Sequence, residues 1–127
     1  MQCEHFLRRM DIEDIRRVLH SEMDPAILAQ AKKPGAIVVD VRSQGEFNGG
    51  HVDGAILVPC TMSNASAIAR AAADGTLPAA RDTPILVHCA VGGRSAVAAR
   101  ALAAAGYTDV VNTISVKITE EAVQQAK

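Results

Sequence analysis

The 127-residue chain has no tryptophan, one tyrosine and two phenylalanines. So sparse an aromatic set excludes stacked-base readers and aromatic cages, which need several exposed rings. Charge is equally uninformative in bulk. Lys and Arg number 13, Asp and Glu 14, and the net charge of -1 gives no reason to expect nucleic acid or an anionic membrane as a partner. No apolar stretch approaches the ~18 residues of a membrane-spanning helix. The opening Met1-Gln2-Cys3-Glu4-His5-Phe6-Leu7-Arg8-Arg9 has neither the apolar centre nor the cleavage pattern of a secretory signal. Cysteines stand only at 3, 60 and 89, odd in number and without metal-type spacing. The expectation is free thiols in a reducing cytoplasm, with a secreted form whose signal has been trimmed as the alternative.

What remains for a core is Val, Ile, Leu and a great deal of Ala, enough for one domain over 1–127. Residues 5–10 suggest an edge strand, and Asp11 an N-cap for a helix through His20. Asp24-Pro25 starts a helix that runs to Lys32 or Lys33. Ala36–Val41, Ala55–Val58 and Ile85–His88 are short continuous apolar runs, the pattern of parallel strands covered on both faces. Ser43–Gly54 is rich in turn residues. An Ala-rich helix spans 64–74 and ends at Gly75. Another covers Ser95–Ala105, closed by Gly106 with Tyr107 available for the accompanying apolar contact. Val110-Val111 forms a further strand, and Ile118–Gln125 a last helix. Strands alternating with helices in this way define an α/β fold with a mostly parallel sheet of about five strands. In such sheets ligands sit beyond the carboxyl ends of the strands, where Asp40 and Cys89 both fall.

The segment Pro84-Ile85-Leu86-Val87-His88-Cys89-Ala90-Val91-Gly92-Gly93-Arg94-Ser95-Ala96 is the richest in chemistry. An apolar strand delivers a cysteine into a tight glycine-bearing loop that leads straight into a helix. Backbone N–H groups curling into a helix N-terminus stabilise a thiolate, and a nearby cation helps. Gly92 and Gly93 permit the backbone angles that turn successive N–H groups toward one point. Arg94 adds a permanent positive charge. Ser95 is read as the N-cap of the helix, and its hydroxyl is also a candidate donor to the thiolate. His88 alternates with Cys89 along the strand and faces the opposite side of the sheet, as a structural residue.

Two stretches together resemble the rhodanese-like sulfurtransferases in their compact single-domain form. The first is Asp40-Val41-Arg42-Ser43-Gln44-Gly45-Glu46-Phe47-Asn48-Gly49-Gly50-His51-Val52-Asp53-Gly54-Ala55, which is similar to the pattern Asp-x-Arg, Glu-aromatic, Gly-His-x-x-Gly-Ala. The second runs from His88 to Asn112 and holds Cys-x-x-Gly-x-Arg-Ser, its helix, and Ala-Gly-Tyr-x-x-Val-x-Asn. Together they cover about a third of the chain. The resemblance implies a three-layer fold and a mechanism in which Cys89 takes the outer sulfur of a donor such as thiosulfate as a persulfide. A thiol, cyanide or protein acceptor then removes it. The N–H groups of Ala90, Val91, Gly92, Gly93, Arg94 and Ser95 would cradle the anionic sulfur, with Arg94 and Arg42 adding positive potential. No metal or organic cofactor is implied, because the sulfur rides on the protein.

Asp40, Arg42, Glu46 and His51 read as a polar brace beside the active loop, Arg42 being the one best placed to touch substrate. Cys60 follows the second buried strand and is a candidate resolving thiol on the same rim. Lys117 could guide anions to the mouth, although a solvated surface lysine is the default. Related phosphatases and arsenate reductases put five residues between cysteine and arginine. Here only Ala90-Val91-Gly92-Gly93 intervene, a cradle better sized for sulfur than for a tetrahedral oxyanion. The chain departs from the family pattern at Gly45 and Asp53, in the helix Pro25–Lys32, which has no obvious counterpart, and after Asn112. There Thr113-Ile114-Ser115-Val116-Lys117 replaces a Gly-Gly pair and a later Trp. That tail leaves open a rival reading, a weakly catalytic or non-catalytic module that carries sulfur or docks a protein.

Overall fold

The computed structural model describes residues 23–127. The strand expected over 5–10, the Asp11-capped helix and Cys3 lie outside the described residues. The elements in chain order are α1 (Pro25–Lys32), β1 (Ile37–Asp40), α2 (Gln44–Asn48), β2 (Ile56–Leu57), α3 (Ser66–Asp74), β3 (Ile85–His88), α4 (Gly93–Ala104), β4 (Val110–Ile114) and α5 (Val116–Gln125). Among the described residues the sheet has four strands instead of about five, all parallel, in the order β2-β1-β3-β4. The fifth of the expectation is the segment outside the description.

Alternation of side chains along the strands divides the core into two layers. Val39, Val41, Ile85 and Val87 point to the face covered by α3 and α4, where Ile68, Ala71, Ala98 and Leu102 meet them. Val38 and Leu86 point the other way and join Val52 under Ala31 of α1 and Val116 and Val123 of α5. Ile68 and Leu102 are wholly buried, and each such side chain contributes roughly 2–3 kcal/mol. The alanines of α4 let that helix lie close against the sheet whose end carries the reactive loop.

Local signals account for most element ends. Asp24 Oδ1 accepts the Ala26 N–H at 2.8 Å, and Pro25 occupies the first helical position. Gln30, buried on α1, donates through Nε2 to the Ile85 and Asp109 carbonyls at 3.2 and 3.1 Å, tying that helix to β3 and the start of β4. The C-terminus of α4 closes as a Schellman motif. Tyr107 N–H bonds Leu102 O and Gly106 N–H bonds Ala103 O, both at 3.0 Å, with Gly106 at φ 102°. Tyr107 then turns inward, its hydroxyl donating to Pro78 O at 2.6 Å.

Three expectations need correction. The segment from Ser43, read as turns, contains α2, a one-turn helix made possible by a capping box. Ser43 Oγ accepts the Glu46 N–H at 3.2 Å, and Glu46 Oε1 accepts the Ser43 N–H at 3.1 Å. β4 runs on to Ile114 because Asn112 pairs with Val87 and Ile114 with His88, Thr113 being the extra residue at the register shift. α5 begins at Val116, not Ile118, because Ser115 caps it through Oγ on the Ile118 N–H at 3.2 Å.

Candidate active site

Cys89 is the first residue beyond β3, at the carboxyl end of the sheet. Its N–H is held by Ile114 O at 3.1 Å, and only 1% of its surface is exposed. Gly92 adopts φ 101°, a left-handed angle that favours glycine, and this reverses the chain so that its own N–H points back at the Cys89 sulfur, 3.1 Å away. α4 starts at the next residue. Burial pushes the Cys89 thiol up, but donation from the Ser95 hydroxyl and from the N–H groups of Ser95, Gly92 and Val91 outweighs it. The thiol comes down from 9.0 to about 7. About half of it is thiolate at neutral pH.

Ser95 does not cap α4. The cap is Gly92, so Ser95 is the third helical residue, and a side chain there leans back toward the helix N-terminus. Its Oγ consequently lies 3.4 Å from the Cys89 sulfur and 2.8 Å from Asn112 Oδ1. Asn112 was visible in the sequence only as part of a motif, with no role. Its Nδ2 donates to Gly92 O at 3.2 Å and its Oδ1 accepts the Ile114 N–H at 3.0 Å, so one β4 side chain grips the turning glycine and the serine together. A strand asparagine that must satisfy a whole carboxamide was the available signal.

The four brace residues divide into three arrangements. Asp40 and Arg42 form a buried pair, with Nη2–Oδ2 at 2.8 Å and Nε–Oδ1 at 3.0 Å, and Arg42 also donates to Gly50 O at 2.8 Å. Arg42 therefore props the turn after β1 and spends its guanidinium there. Glu46 grips Arg94 with both oxygens, at 2.7 and 3.0 Å. The guanidinium and the Ser43 amide hold the Glu46 carboxyl down at about 2. The Arg94 charge also favours the Cys89 thiolate. His51 joins neither set. It is exposed, stacks on Phe47 at 3.7 Å between centroids, and contacts Phe47 O through Nδ1 at 2.9 Å.

His88, fully buried, faces away from the loop toward Asp40, 3.7 Å from its carboxylate. Its Nδ1–H donates to Cys89 O at 3.1 Å, which holds that peptide with its carbonyl turned to His88. Cys60 shares the buried cluster of Cys89 but gives its S–H to Val58 O at 3.4 Å, and burial pushes its thiol up. It is a poor nucleophile as placed. Lys117 is exposed on α5. Among the described residues no three His, Cys, Asp or Glu side chains gather as metal ligands, and both cysteines are free.

Cys89, at a parallel-strand end and held by a glycine-turned loop of N–H donors, lies within a span that matches a known family. The sequence model of the rhodanese-like domain matches residues 24–114. The chain belongs to the rhodanese-like family. The matched span begins ahead of α1, so that helix lies within the family domain and is not an addition to it. A search of curated proteins returned no match. Among solved structures, the domain is similar to a rhodanese with anions from E. coli, at 26% identity and a TM-score of 0.54, over 65% of this chain and 89% of the other. It is also similar to the rhodanese-like domain of the Alr3790 protein from Anabaena sp., at 24% identity and a TM-score of 0.56 over 80% and 94% of the two chains. The human single-domain sulfurtransferase TSTD1 matches at 21% identity and a TM-score of 0.50 over 93% and 95%. At those identities the last two speak to the fold alone.

Proposed function

We propose that this rhodanese-like domain is a sulfurtransferase that carries sulfane sulfur as a persulfide on Cys89, with residues 1–127 acting as one domain. The observation that carries the reading is the Cys89 sulfur itself, met by Gly92 N–H at 3.1 Å and Ser95 Oγ at 3.4 Å and brought to about 7 by its donors. The thiolate attacks the outer sulfur of a donor such as thiosulfate. A sulfur–sulfur bond forms to Cys89, the donor's own bond breaks, and sulfite departs with the electron pair. An acceptor nucleophile then takes the outer sulfur, and Cys89 leaves as the thiolate it began as. Neither step needs a metal or an organic cofactor. The donor N–H groups serve both, since negative charge sits on sulfur in the loop throughout. The similar E. coli structure is described as a rhodanese with anions, which is in keeping with an anionic donor.

Ala90, Val91, Gly92, Gly93, Arg94 and Ser95 form the cradle in this reading, while Asp40, Arg42 and Glu46 hold it and His51 stands outside. The reducing cytoplasm suits two free thiols, one of them reactive. No helix among the described residues is long and apolar enough to cross a membrane.

Intact mass after incubation with thiosulfate tests the proposal, with wild type and Cys89→Ala in parallel. One added sulfur on wild type alone, discharged by cyanide as thiocyanate, is the expected result. An adduct that survives in Cys89→Ala, or none on either protein, would overturn it.

A further inference from the structure

The large hydrophobic side chains exposed among the described residues are Met62, at 64%, Val91, at 86%, and Ile114, at 39%. They come from three separate parts of the chain, yet all sit at the reactive loop. Val91 is in it. A Cβ placed on Gly93 would lie 3.0 Å from Met62 Sδ, and one on Gly92 would lie 3.2 Å from Ile114 Cγ2. Met62 and Ile114 thus rest on the two adjacent glycines that shape the cradle, with Val91 beside them. Gathering all such residues at one mouth is the opposite of the single scattering that an ordinary surface shows.

Ile114 adds an independent mark. It has φ 74°, a left-handed conformation that a β-branched residue rarely adopts. Backbone strain of this kind persists where the surroundings over-determine it, and it concentrates at functional sites. Here Asn112 Oδ1 on its N–H and the Cys89 N–H on its carbonyl enforce the angle, and the angle sets the isoleucine methyls against Gly92. Electrostatics complete the picture. The two guanidiniums of the site are each matched by a carboxylate, Arg94 by Glu46 and Arg42 by Asp40. The three side chains therefore present apolar surface beside two guanidiniums whose charge is already paired.

We propose that Met62, Val91 and Ile114 form an apolar collar that selects the sulfur acceptor, and that this acceptor is a small organic thiol with an aliphatic body. The inference rests on the persulfide chemistry proposed for Cys89. The acceptor thiolate attacks the outer sulfur of the Cys89 persulfide. The new sulfur–sulfur bond forms on the acceptor, the bond to Cys89 breaks, and Cys89 recovers the electron pair as its thiolate. The acceptor leaves as an organic persulfide, and its original proton goes to solvent. Small size follows from the patch. Three exposed apolar side chains around one cysteine make a surface that one short aliphatic chain covers.

The test loads wild type with sulfur from thiosulfate, then follows discharge of the Cys89 persulfide by ethanethiol, 1-propanethiol and 1-butanethiol. Thiol basicity is nearly constant along this series, so only the buried chain changes. The expected rate constant rises roughly two- to fourfold per methylene, as partial to full burial of each CH₂ requires. The rise should flatten in Met62→Ser and in Ile114→Gly. Ile114→Gly should melt no lower than wild type, because glycine accepts the left-handed angle without strain, which separates lost selectivity from lost folding. Equal rates for all three thiols, on a wild-type persulfide that cyanide still discharges, would overturn the collar and leave the sulfurtransferase reading intact. Failure to form the persulfide at all would overturn both.

Discussion

Removing one hydroxyl, Ser95→Ala, separates that hydroxyl's share of the thiolate stabilisation from the shares of the backbone and of Arg94. Ser95 is fully buried and its Oγ lies 3.4 Å from the Cys89 sulfur, so deletion leaves the N–H donors of Gly92, Val91 and Ser95 in place. A hydrogen bond to a charged group is worth about 1.5–3 kcal/mol. This one falls at the low end, because it is long and because Asn112 Oδ1, at 2.8 Å, competes for the same proton. About 1.4 kcal/mol is one pKa unit. The thiol should therefore rise from about 7 to roughly 8, and the thiolate fraction at neutral pH should fall from about a half to about a tenth. A more basic thiolate is intrinsically more nucleophilic, and a Brønsted slope of about 0.4–0.5 makes it roughly threefold faster. The variant should thus react with iodoacetamide about twofold slower at neutral pH and about threefold faster above roughly pH 9, so the two profiles cross. Peptide mapping by mass separates Cys89 from Cys3 and Cys60. An unmoved midpoint with no crossing would refute the reasoning and assign the serine proton to Asn112 alone.

Two further outcomes follow from the brace. Asp40→Asn leaves the nearly buried Arg42 guanidinium without its carboxylate and should cost about 3–5 kcal/mol in denaturant unfolding. Adding Arg42→Met should restore most of that loss, and failure to do so would show that Asp40 acts on something other than Arg42. The second outcome concerns pH. Glu46 is held at about 2 instead of 4.5, a depressed carboxyl, so the stability it adds is complete above 4.5 and disappears as pH falls through about 2. With 36% of its side chain exposed, the gap between wild type and Glu46→Gln should be about 1 kcal/mol or less. Thermal melts should show that gap closing across the acid window, and a gap independent of pH would place its origin in the capping box alone.

The parallel sheet and the glycine turn after Cys89 were legible because each rests on local chemistry. Unbroken apolar runs of strand length have few other uses, and Gly92 announces the chain reversal that its φ of 101° then makes. Asp24-Pro25 and Gly106 mark helix ends for the same local reason. Of the two readings of Ser95, the contact with the Cys89 sulfur agrees with the structure, while the cap falls to Gly92, three residues earlier. A serine opening an apparent helix looks like an N-cap until the start of the helix is known, and a shift of that start from Ser95 to Gly93 turns a cap into a thiolate donor. Arg42 keeps the brace role read for it, and only its expected reach toward substrate finds no support, for a different reason. Its partner Asp40 stands two residues away on the same strand end, and nothing in the sequence says whether such a pair closes on itself or opens toward a ligand.

The residues that sequence reasoning passed over are those whose meaning depends on β4. Its pairing with β3 shifts at Val87/His88, which sets Ile114 opposite His88 and lets its carbonyl take the N–H of Cys89. That shift brings Asn112 within reach of both Gly92 and Ser95, and it puts a left-handed isoleucine over the cradle. No local pattern encodes a register shift between strands that stand some twenty-five residues apart in Ile85–His88 and Val110–Ile114. The proposed nucleophile and its turn are therefore written in one contiguous stretch of chain. The grip on that turn, and the apolar surface at its mouth, come from a distant strand and a separate loop. Under the two proposals, chemistry at Cys89 and selection of what meets it are separable by mutation. Ser95 changes should move the titration of the thiol, and Met62 or Ile114 changes should move the dependence on acceptor chain length.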